Sequence, residues 1–212
     1  MTAVRVFSPH LDDAVLSASV QLLRPNAEVV TVFTGDPPEG MELAPWERLT
    51  RARSSWERHQ ERLSEDDEAM AALGCASRRL DEPEAEHRIG QLDLGLLSER
   101  VAPALADASE IWIPAGVGGH PDHVAVRRAV LAALDATGDD GTAVYLYADL
   151  PYTIAHGWPT WVTGTDAADY LDPGPWVDDE LVQNGVDPAR LTGQSVRLTP
   201  DQQERKARAV SA

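Results

Sequence analysis

Short apolar runs alternate along the chain with longer segments of helical period. Val4 to Phe7 is the first apolar run, and Glu28 to Thr34 is the second. The segment between them, Ala14 to Leu23, has the length of the crossover helix that two parallel strands require. The pattern therefore predicts a strand, a helix and a parallel strand at the start of the chain.

The alternation continues further along. Residues 46–74 are charged and contain no proline or glycine before Gly74, which predicts one long helix, or two, ending at this glycine. Residues 78–82 have the pattern of a short strand and residues 95–108 that of a helix. Glu110 to Gly116 and Thr142 to Ala148 read as strands, with a helix at Val124 to Leu134 between them. Apolar strands that alternate with helices predict an α/β fold with a mostly parallel sheet.

A different composition begins at Pro151. From there to Leu191 the chain holds five prolines and little periodicity, together with three of the six tryptophans, Trp158, Trp161 and Trp176. We interpret residues 151–191 as a long surface excursion within a single domain of residues 1–212. Its tryptophans either stack on a substrate or anchor the loop. A capping box at Thr199 predicts a final helix from Pro200.

Composition argues against several classes of protein. The 212 residues carry a formal net charge of −17, which disfavours a protein that binds the nucleic-acid backbone. We expect neither a signal peptide nor a membrane span, because no apolar run has the length and flanks that these need. The one cysteine, Cys75, cannot form an internal disulfide. We expect it to pack as a small apolar group, in a chain suited to the cytoplasm.

A turn with three titratable side chains follows the first apolar run. The stretch PHLDDAVLS places His10, Asp12 and Asp13 directly after that strand. Adjacent carboxylates repel each other unless something positive lies beside them. This turn alone is also explained by the preference of carboxylates for the start of a helix.

A second turn of the same kind follows the strand at Glu110 to Gly116. The stretch GVGGHPDHVAV contains His120, Asp122 and His123. Because ligands bind at the carboxyl ends of strands in open α/β sheets, two adjacent strands would bring both turns together. Imidazoles and carboxylates in these numbers are a ligand set for a divalent metal. The pair of turns therefore indicates a metal site.

The pairing of PHLDDAVLS with GGHPDHVAV resembles the PIG-L or LmbE-like family of zinc-dependent N-deacetylases, whose signatures are a His-x-Asp-Asp and a His-x-Asp-His turn. The stretches RLSEDDEAMAALG, before Leu80 and Asp81, and YADLPY are similar to further segments of that family, in matching order. The resemblance implies a Rossmann-like, LmbE-like three-layer α/β domain. It also implies an enzyme that removes an N-acetyl or N-acyl group from an amino sugar or a related natural-product amide.

By position, the resemblance makes His10, Asp13 and His123 the metal ligands. Three protein ligands leave open positions for water and substrate, as a hydrolytic site requires. Zinc is the expected ion, although the same ligands also bind iron, cobalt or manganese.

The resemblance also assigns catalytic roles. Asp12 is the expected general base, and His120, if protonated, faces the developing oxyanion. Asp122 is expected to orient His120 or one of the ligands. The expected partner is a small N-acetylated molecule, and the sequence leaves the oligomeric state open.

The remaining histidines and tryptophans have weaker assignments. His59 is expected in solvent on a charged helix. Both a substrate contact and a structural role are open for His87, which precedes Arg88, and for His156 in the excursion. We expect the other tryptophans, Trp46, Trp56 and Trp112, in the core.

Three other functions share parts of this pattern. A metal phosphoesterase uses similar residues, but it normally needs a second ion and more carboxylates. A dinucleotide-binding oxidoreductase would need G-x-G-x-x-G after the first strand, which carries acid instead. A non-catalytic ligand-binding protein could hold the metal for structure alone, but it would have no use for Asp12.

Overall fold

The computed structural model describes residues 3–138 and 141–212, and the described part contains one parallel sheet. Its strands are β1 (Val4–Ser8), β2 (Ala27–Thr31), β3 (Ala76–Arg79), β4 (Glu110–Pro114) and β5 (Ala143–Tyr147). Their spatial order is β3-β2-β1-β4-β5. The order reverses between β1 and β4, and the crevice at such a reversal is where open α/β sheets bind ligands. The predicted α/β fold with a parallel sheet is confirmed.

Helices connect the strands and follow the last of them. They are α1 (Asp13–Leu22), α2 (Pro45–Leu49), α3 (Ser55–Leu73), α4 (Leu94–Leu105), α5 (Pro121–Thr137), α6 (Tyr152–His156), α7 (Thr160–Thr163) and α8 (Pro200–Val210). Two helices occupy the region predicted as one helix or two, and α3 ends at Gly74 with a φ of 67°. The helix α8 begins with the predicted capping box, in which Thr199 accepts from the Gln202 backbone.

Apolar side chains pack on both faces of the sheet. On one face, α4 and α5 cover a cluster that includes Phe7, Val30 and Ile113. On the other, α1, α3 and α8 cover a cluster that includes Val6 and Val29. The result is three layers, because neighbouring residues of each strand point to opposite faces.

The tryptophan-rich excursion is tied to the end of β4. It holds α6, α7, a π-helical turn at Pro175–Leu181 and a 3₁₀ turn at Pro188–Arg190. Trp176 is buried, donates from Nε1 to the Ala115 carbonyl at 3.3 Å, and meets the ring of Trp158 at 5.0 Å. Trp176 therefore anchors the loop, which is one of its two predicted roles.

Two predictions for α3 were wrong. Trp56, expected in the core, is 57% exposed, and His59, expected in solvent, is 4% exposed. The buried face of this helix is polar up to Asp66 and apolar beyond it. In the polar part, the Ser55 hydroxyl donates to Glu47 at 2.7 Å, and His59 Nε2 lies 3.5 Å from Asp36. Trp46 and Trp112 are half-buried.

Among the described residues, none of the helices combines the length and the apolar composition of a membrane span.

Candidate active site

The two titratable turns meet at the carboxyl end of the sheet. β1 and β4 are hydrogen-bonded neighbours in parallel register, so the residues that follow them emerge side by side. The imidazole ring of His10 lies 5.1 Å from that of His120 and 5.3 Å from that of His123, measured between centroids. The structure thus brings together residues that are more than a hundred positions apart in the chain.

Asp13 lies at the centre of the cluster. Its Oδ2 atom is 3.1 Å from His10 Nδ1 and 3.3 Å from His123 Nε2, and it accepts the His10 backbone N–H at 2.9 Å. Asp13 is the first residue of α1, so the start of that helix fixes its position. Donor atoms of His10, Asp13 and His123 all lie within 4.8 Å of one another.

These three residues fit a divalent metal ion. His123 is fully buried, yet its Nε2 atom has no hydrogen-bond partner. A buried ring nitrogen without a partner is costly unless something else satisfies its lone pair. Bonds of about 2.0 Å to a tetrahedral zinc ion place neighbouring donor atoms roughly 3.3 Å apart, close to the separations from Asp13.

The charges of the cluster are strongly coupled. Burial lowers the pKa of His10, but the Asp122 and Asp13 carboxylates outweigh this effect and raise that pKa to about 10. Burial also lowers the pKa of His123, which Asp13 and Asp149 raise to about 9. Burial raises the pKa of Asp13, but the two imidazoles hold it far below its ordinary value. The Asp13 carboxylate therefore stabilises positive charge on both neighbouring groups, His10 and His123.

Two further carboxylates hold the imidazole rings from behind. Asp122 Oδ2 is 3.1 Å from His10 Nε2 and also accepts the Ala85 backbone N–H at 2.8 Å. Asp149 Oδ1 is 2.7 Å from His123 Nδ1, and its other oxygen accepts the Val117 backbone N–H at 3.1 Å. Each carboxylate leaves the second nitrogen of its histidine facing Asp13. Such partners set the tautomer and orientation of metal-binding histidines.

Asp149 was missed by the sequence reasoning. It follows β5, the strand next to β4, so it reaches the same edge of the sheet as the two turns. The sequence feature that could have identified Asp149 is its position directly after a predicted strand, within the stretch YADLPY. Asp122, expected to orient His120 or a ligand, contacts the ring of His10.

Asp12 faces a cleft in front of the cluster. The cleft has a volume of about 810 Å³, and its lining includes Trp46, Glu84, His120 and Tyr152. Asp12 Oδ1 lies 3.5 Å from an Arg62 nitrogen. The Asp12 side chain is 64% exposed, but the walls of the cleft and the adjacent carboxylate of Asp13 still raise the pKa of Asp12 above its ordinary value.

His120 caps the first turn of α5 with its own ring. Its Nδ1 atom accepts the Asp122 backbone N–H at 3.3 Å, which leaves the proton on Nε2. Burial and the neighbouring rings of His10 and His123 lower the pKa of His120 to about 4. The ring is therefore neutral near pH 7 and can donate one hydrogen bond, in contrast to the protonated form considered from the sequence.

The other histidines lie away from the cleft. His87 is buried with Nε2 3.5 Å from Glu47 Oε1, and the exposed His156 lies against Gly118. The described lining of the cleft includes neither His87 nor His156. Arg88, by contrast, donates to Asp122 and so contacts the carboxylate that holds His10.

A second group of possible ligands consists of His10, His120 and Asp122. It shares His10 with the first group. A neutral imidazole has a single lone pair and cannot bind two ions at once. The described residues therefore offer one metal position, which disfavours the two-ion phosphoesterase.

Comparison with known proteins agrees with this geometry. The sequence model of the family described as "PIG-L: GlcNAc-PI de-N-acetylase" matches residues 5–134. A 2'-N-acetylparomamine deacetylase from Streptomyces fradiae is 43% identical over 60 residues, or 27% of this chain. Those residues span only 20% of that relative's length.

Solved structures extend the similarity over nearly the whole chain. A triple mutant of a deacetylase of the teicoplanin biosynthetic pathway superposes with a TM-score of 0.73 at 25% identity, covering 99% of this chain and 81% of that one. A deacetylase of an antimicrobial pseudoaglycone gives a TM-score of 0.70 at 26% identity, with 99% and 80% covered.

Proposed function

Since the chain belongs to the PIG-L family, whose sequence model matches residues 5–134, we propose that it is a metal-dependent hydrolase that removes an N-acetyl group from an amino sugar or a related natural-product amide. The observation that carries the proposal is the unpartnered, fully buried Nε2 atom of His123, 3.3 Å from Asp13 at the reversal of strand order. We propose residues 1–212 as one catalytic domain, with the excursion at 151–191 beside the cleft.

We propose His10, Asp13 and His123 as the ligands and zinc as the ion. When bound there, a divalent ion supplies Lewis acidity, which polarises an amide carbonyl and lowers the pKa of a water molecule to about 7. Two neutral imidazoles and one carboxylate leave that ion a net positive charge. Asp122 and Asp149 keep the two rings in place from behind.

Asp12 is the proposed general base. It adjoins the ligand Asp13 in sequence, but its carboxylate faces the cleft. From there it takes the proton of the attacking water and delivers it to the amide nitrogen as the C–N bond breaks. Arg62, 3.5 Å away, and the backbone turn between His10 and Asp13 set its direction.

His120 is the proposed oxyanion donor. Its Nε2–H is held in one tautomer by the bond that Nδ1 accepts from the Asp122 backbone. A neutral donor fixed before reaction stabilises the negative charge that develops on the carbonyl oxygen without reorganisation. Because Asp12 belongs to the first turn and His120 to the second, proton transfer and charge stabilisation are divided between the two turns.

The cleft fits a substrate that carries positive charge. Besides two histidines, its lining contains two arginines, Arg58 and Arg62, and a larger set of acidic residues: Asp12, Asp13, Glu65, Asp66, Glu84, Glu86 and Asp122. Acidic walls attract amines and repel phosphate or sulfate. An N-acetylated amino sugar with further amino groups, of the kind named for the Streptomyces fradiae relative, is the proposed substrate class.

The test combines metal content with activity. The purified protein is stripped, reloaded with zinc, iron or manganese, and assayed for acetate release from a panel of N-acetylated aminoglycosides and N-acetylglucosamine derivatives. We expect about one bound ion per chain and metal-dependent acetate release.

His123→Ala and His156→Ala form a matched pair for this test. The first removes a proposed ligand and is expected to abolish metal binding; the second removes an exposed histidine and is expected to change nothing. A protein that releases acetate equally well after complete metal removal would overturn the proposal, as would metal retention in His123→Ala.

A further inference from the structure

A second cavity, of about 800 Å³, lies along α1 and shares Leu16 with the lining of the catalytic cleft. Its floor is the face of β4 and β5 that carries Trp112 and Tyr145. One wall is α1, and the other is formed by the excursion and residues 190–198. The volume is within the range of small-molecule sites. Nothing in the proposed deacetylation uses this cavity.

The floor of this cavity is an aromatic platform. Trp112 and Tyr145 are register partners on the neighbouring strands β4 and β5, and their rings stack at 4.5 Å with only 10° between their planes. Tyr145 remains 38% exposed, and Trp161 on the opposite wall is 43% exposed. Large apolar side chains that converge on one opening and stay accessible are typical of a binding surface.

The charge of the lining is opposite to that of the chain. The protein has 35 acidic and 18 basic residues. The described residues that line the second cavity include Arg190 and Lys206 but no aspartate or glutamate. The catalytic cleft, by contrast, is lined by seven acidic residues and two arginines. The charge of the lining therefore disfavours an anion in the catalytic cleft and favours one in the second cavity.

Lys206 supplies a cation without a counter-ion. It is the only lysine of the chain, and its Nζ atom donates to the Leu16 carbonyl at 2.5 Å. Among the described residues, no carboxylate pairs with Lys206 or with Arg190. Burial lowers the pKa of Lys206, as expected for an ammonium group that is partly withdrawn from water without a partner.

We propose that this cavity binds a small amphipathic carboxylate, whose apolar body lies on the Trp112–Tyr145 platform and whose carboxylate pairs with Lys206. Three features together support this proposal. They are the stacked aromatic floor, the absence of acidic residues from the described lining, and the Lys206 ammonium group, which forms no ion pair with a carboxylate among the described residues. The proposal does not depend on the deacetylase activity.

Decanoate is the probe for the test. The metal-loaded protein is titrated with it below its micellar concentration by calorimetry and by tryptophan fluorescence. We expect one saturable site, with tighter binding of decanoate than of decanol or decylamine. Lys206→Gln is expected to weaken binding by about tenfold or more, because a charged hydrogen-bond partner is lost. Lys206→Arg is expected to restore most of it.

A second pair of variants protects the test against misfolding. Trp161→Ala, at an exposed wall position, is expected to weaken decanoate binding, whereas Trp56→Ala, 57% exposed on α3, is expected to leave it unchanged. Equal binding to wild type and Lys206→Gln would overturn the proposal. So would equal affinity for decanol, no saturable binding in the millimolar range, or binding that is lost in His123→Ala and kept in Lys206→Gln, which would place decanoate at the metal ligands.

Discussion

Asp149 Oδ1 lies 2.7 Å from His123 Nδ1, and both side chains are fully buried. The carboxylate is itself held by the Val117 backbone, so it cannot follow the ring if the ring turns. This contact fixes which nitrogen of His123 faces Asp13. It joins the end of β5 to the pair of turns after β1 and β4.

Asp149→Asn is expected to weaken metal affinity by roughly 10- to 100-fold, as the loss of such partners typically does. The neutral amide oxygen accepts the Nδ1–H of His123 less strongly than the carboxylate does, so the ring orientation that exposes Nε2 to Asp13 is held less firmly. Competition with a chelator of known affinity measures the change. Asp169→Asn, an exposed position in the excursion, is the matched control. Wild-type affinity in Asp149→Asn would show that packing alone orients the ring.

Asp12→Ala and its neighbour Asp13→Ala are expected to fail in different ways. Asp12→Ala should keep the metal but lose on the order of 10² to 10⁴ in kcat, because a general base is removed. Asp13→Ala should lose the metal first. Elemental analysis beside steady-state kinetics separates the two. Intact activity in Asp12→Ala would refute its role as the base.

Gly116→Ala is expected to destabilise the protein by about 2 kcal/mol or more. The residue has a φ of +76°, and an added Cβ would lie 2.6 Å from Arg127 Nη1. Arg127 is fully buried and donates to the Ala115 and Glu180 carbonyls, so it has little room to move.

Gly74→Ala is the control, because its φ is +67° but nothing lies within 4 Å of an added Cβ. It should show only the backbone cost of about 1 kcal/mol. Chemical denaturation of both variants gives the difference. Equal losses would mean that Arg127 adapts freely.

Cys75 is expected to react slowly with thiol reagents at pH 8. Burial raises the pKa of its thiol to about 11. The thiolate fraction at pH 8 is then about 0.1%, and the rate should rise about tenfold per pH unit up to that pKa. Stopped-flow reaction with a disulfide reagent measures this, and the protein in guanidinium chloride, with an ordinary pKa, is the control. A fast reaction of the folded protein at pH 8 would contradict the burial of this thiol.

The two turns could be located from the sequence because each follows an apolar strand directly. A run such as Val4 to Phe7 ends abruptly at polar residues, and the residues after a parallel strand always emerge at the same edge of the sheet. Local order along the chain therefore contained the information needed to group His10 with His123.

The role of Asp149 and the buried face of α3 could not be predicted in this way. A single aspartate after a strand has no pattern of its own, and only the pairing of β5 with β4 brings it to His123. In the first part of α3 the buried residues are polar (Ser55, His59 and Asp66), and the apolar residues become buried only towards the end of the helix. A helical pattern based on apolar residues then assigns the wrong face of the helix to solvent. The predicted exposures of Trp56 and His59 were reversed for this reason.

The adjacency of β1 and β4 also determines when the cluster can exist during synthesis. His10 leaves the ribosome early, but its contact Asp122 lies 112 positions later in the chain. A nascent chain that has completed β1, β2 and β3 still lacks every residue of the second turn. The proposed ion can therefore bind to the complete cluster only after β4 has been added beside β1, and the time of its binding would mark the moment at which the two halves of the sheet have joined.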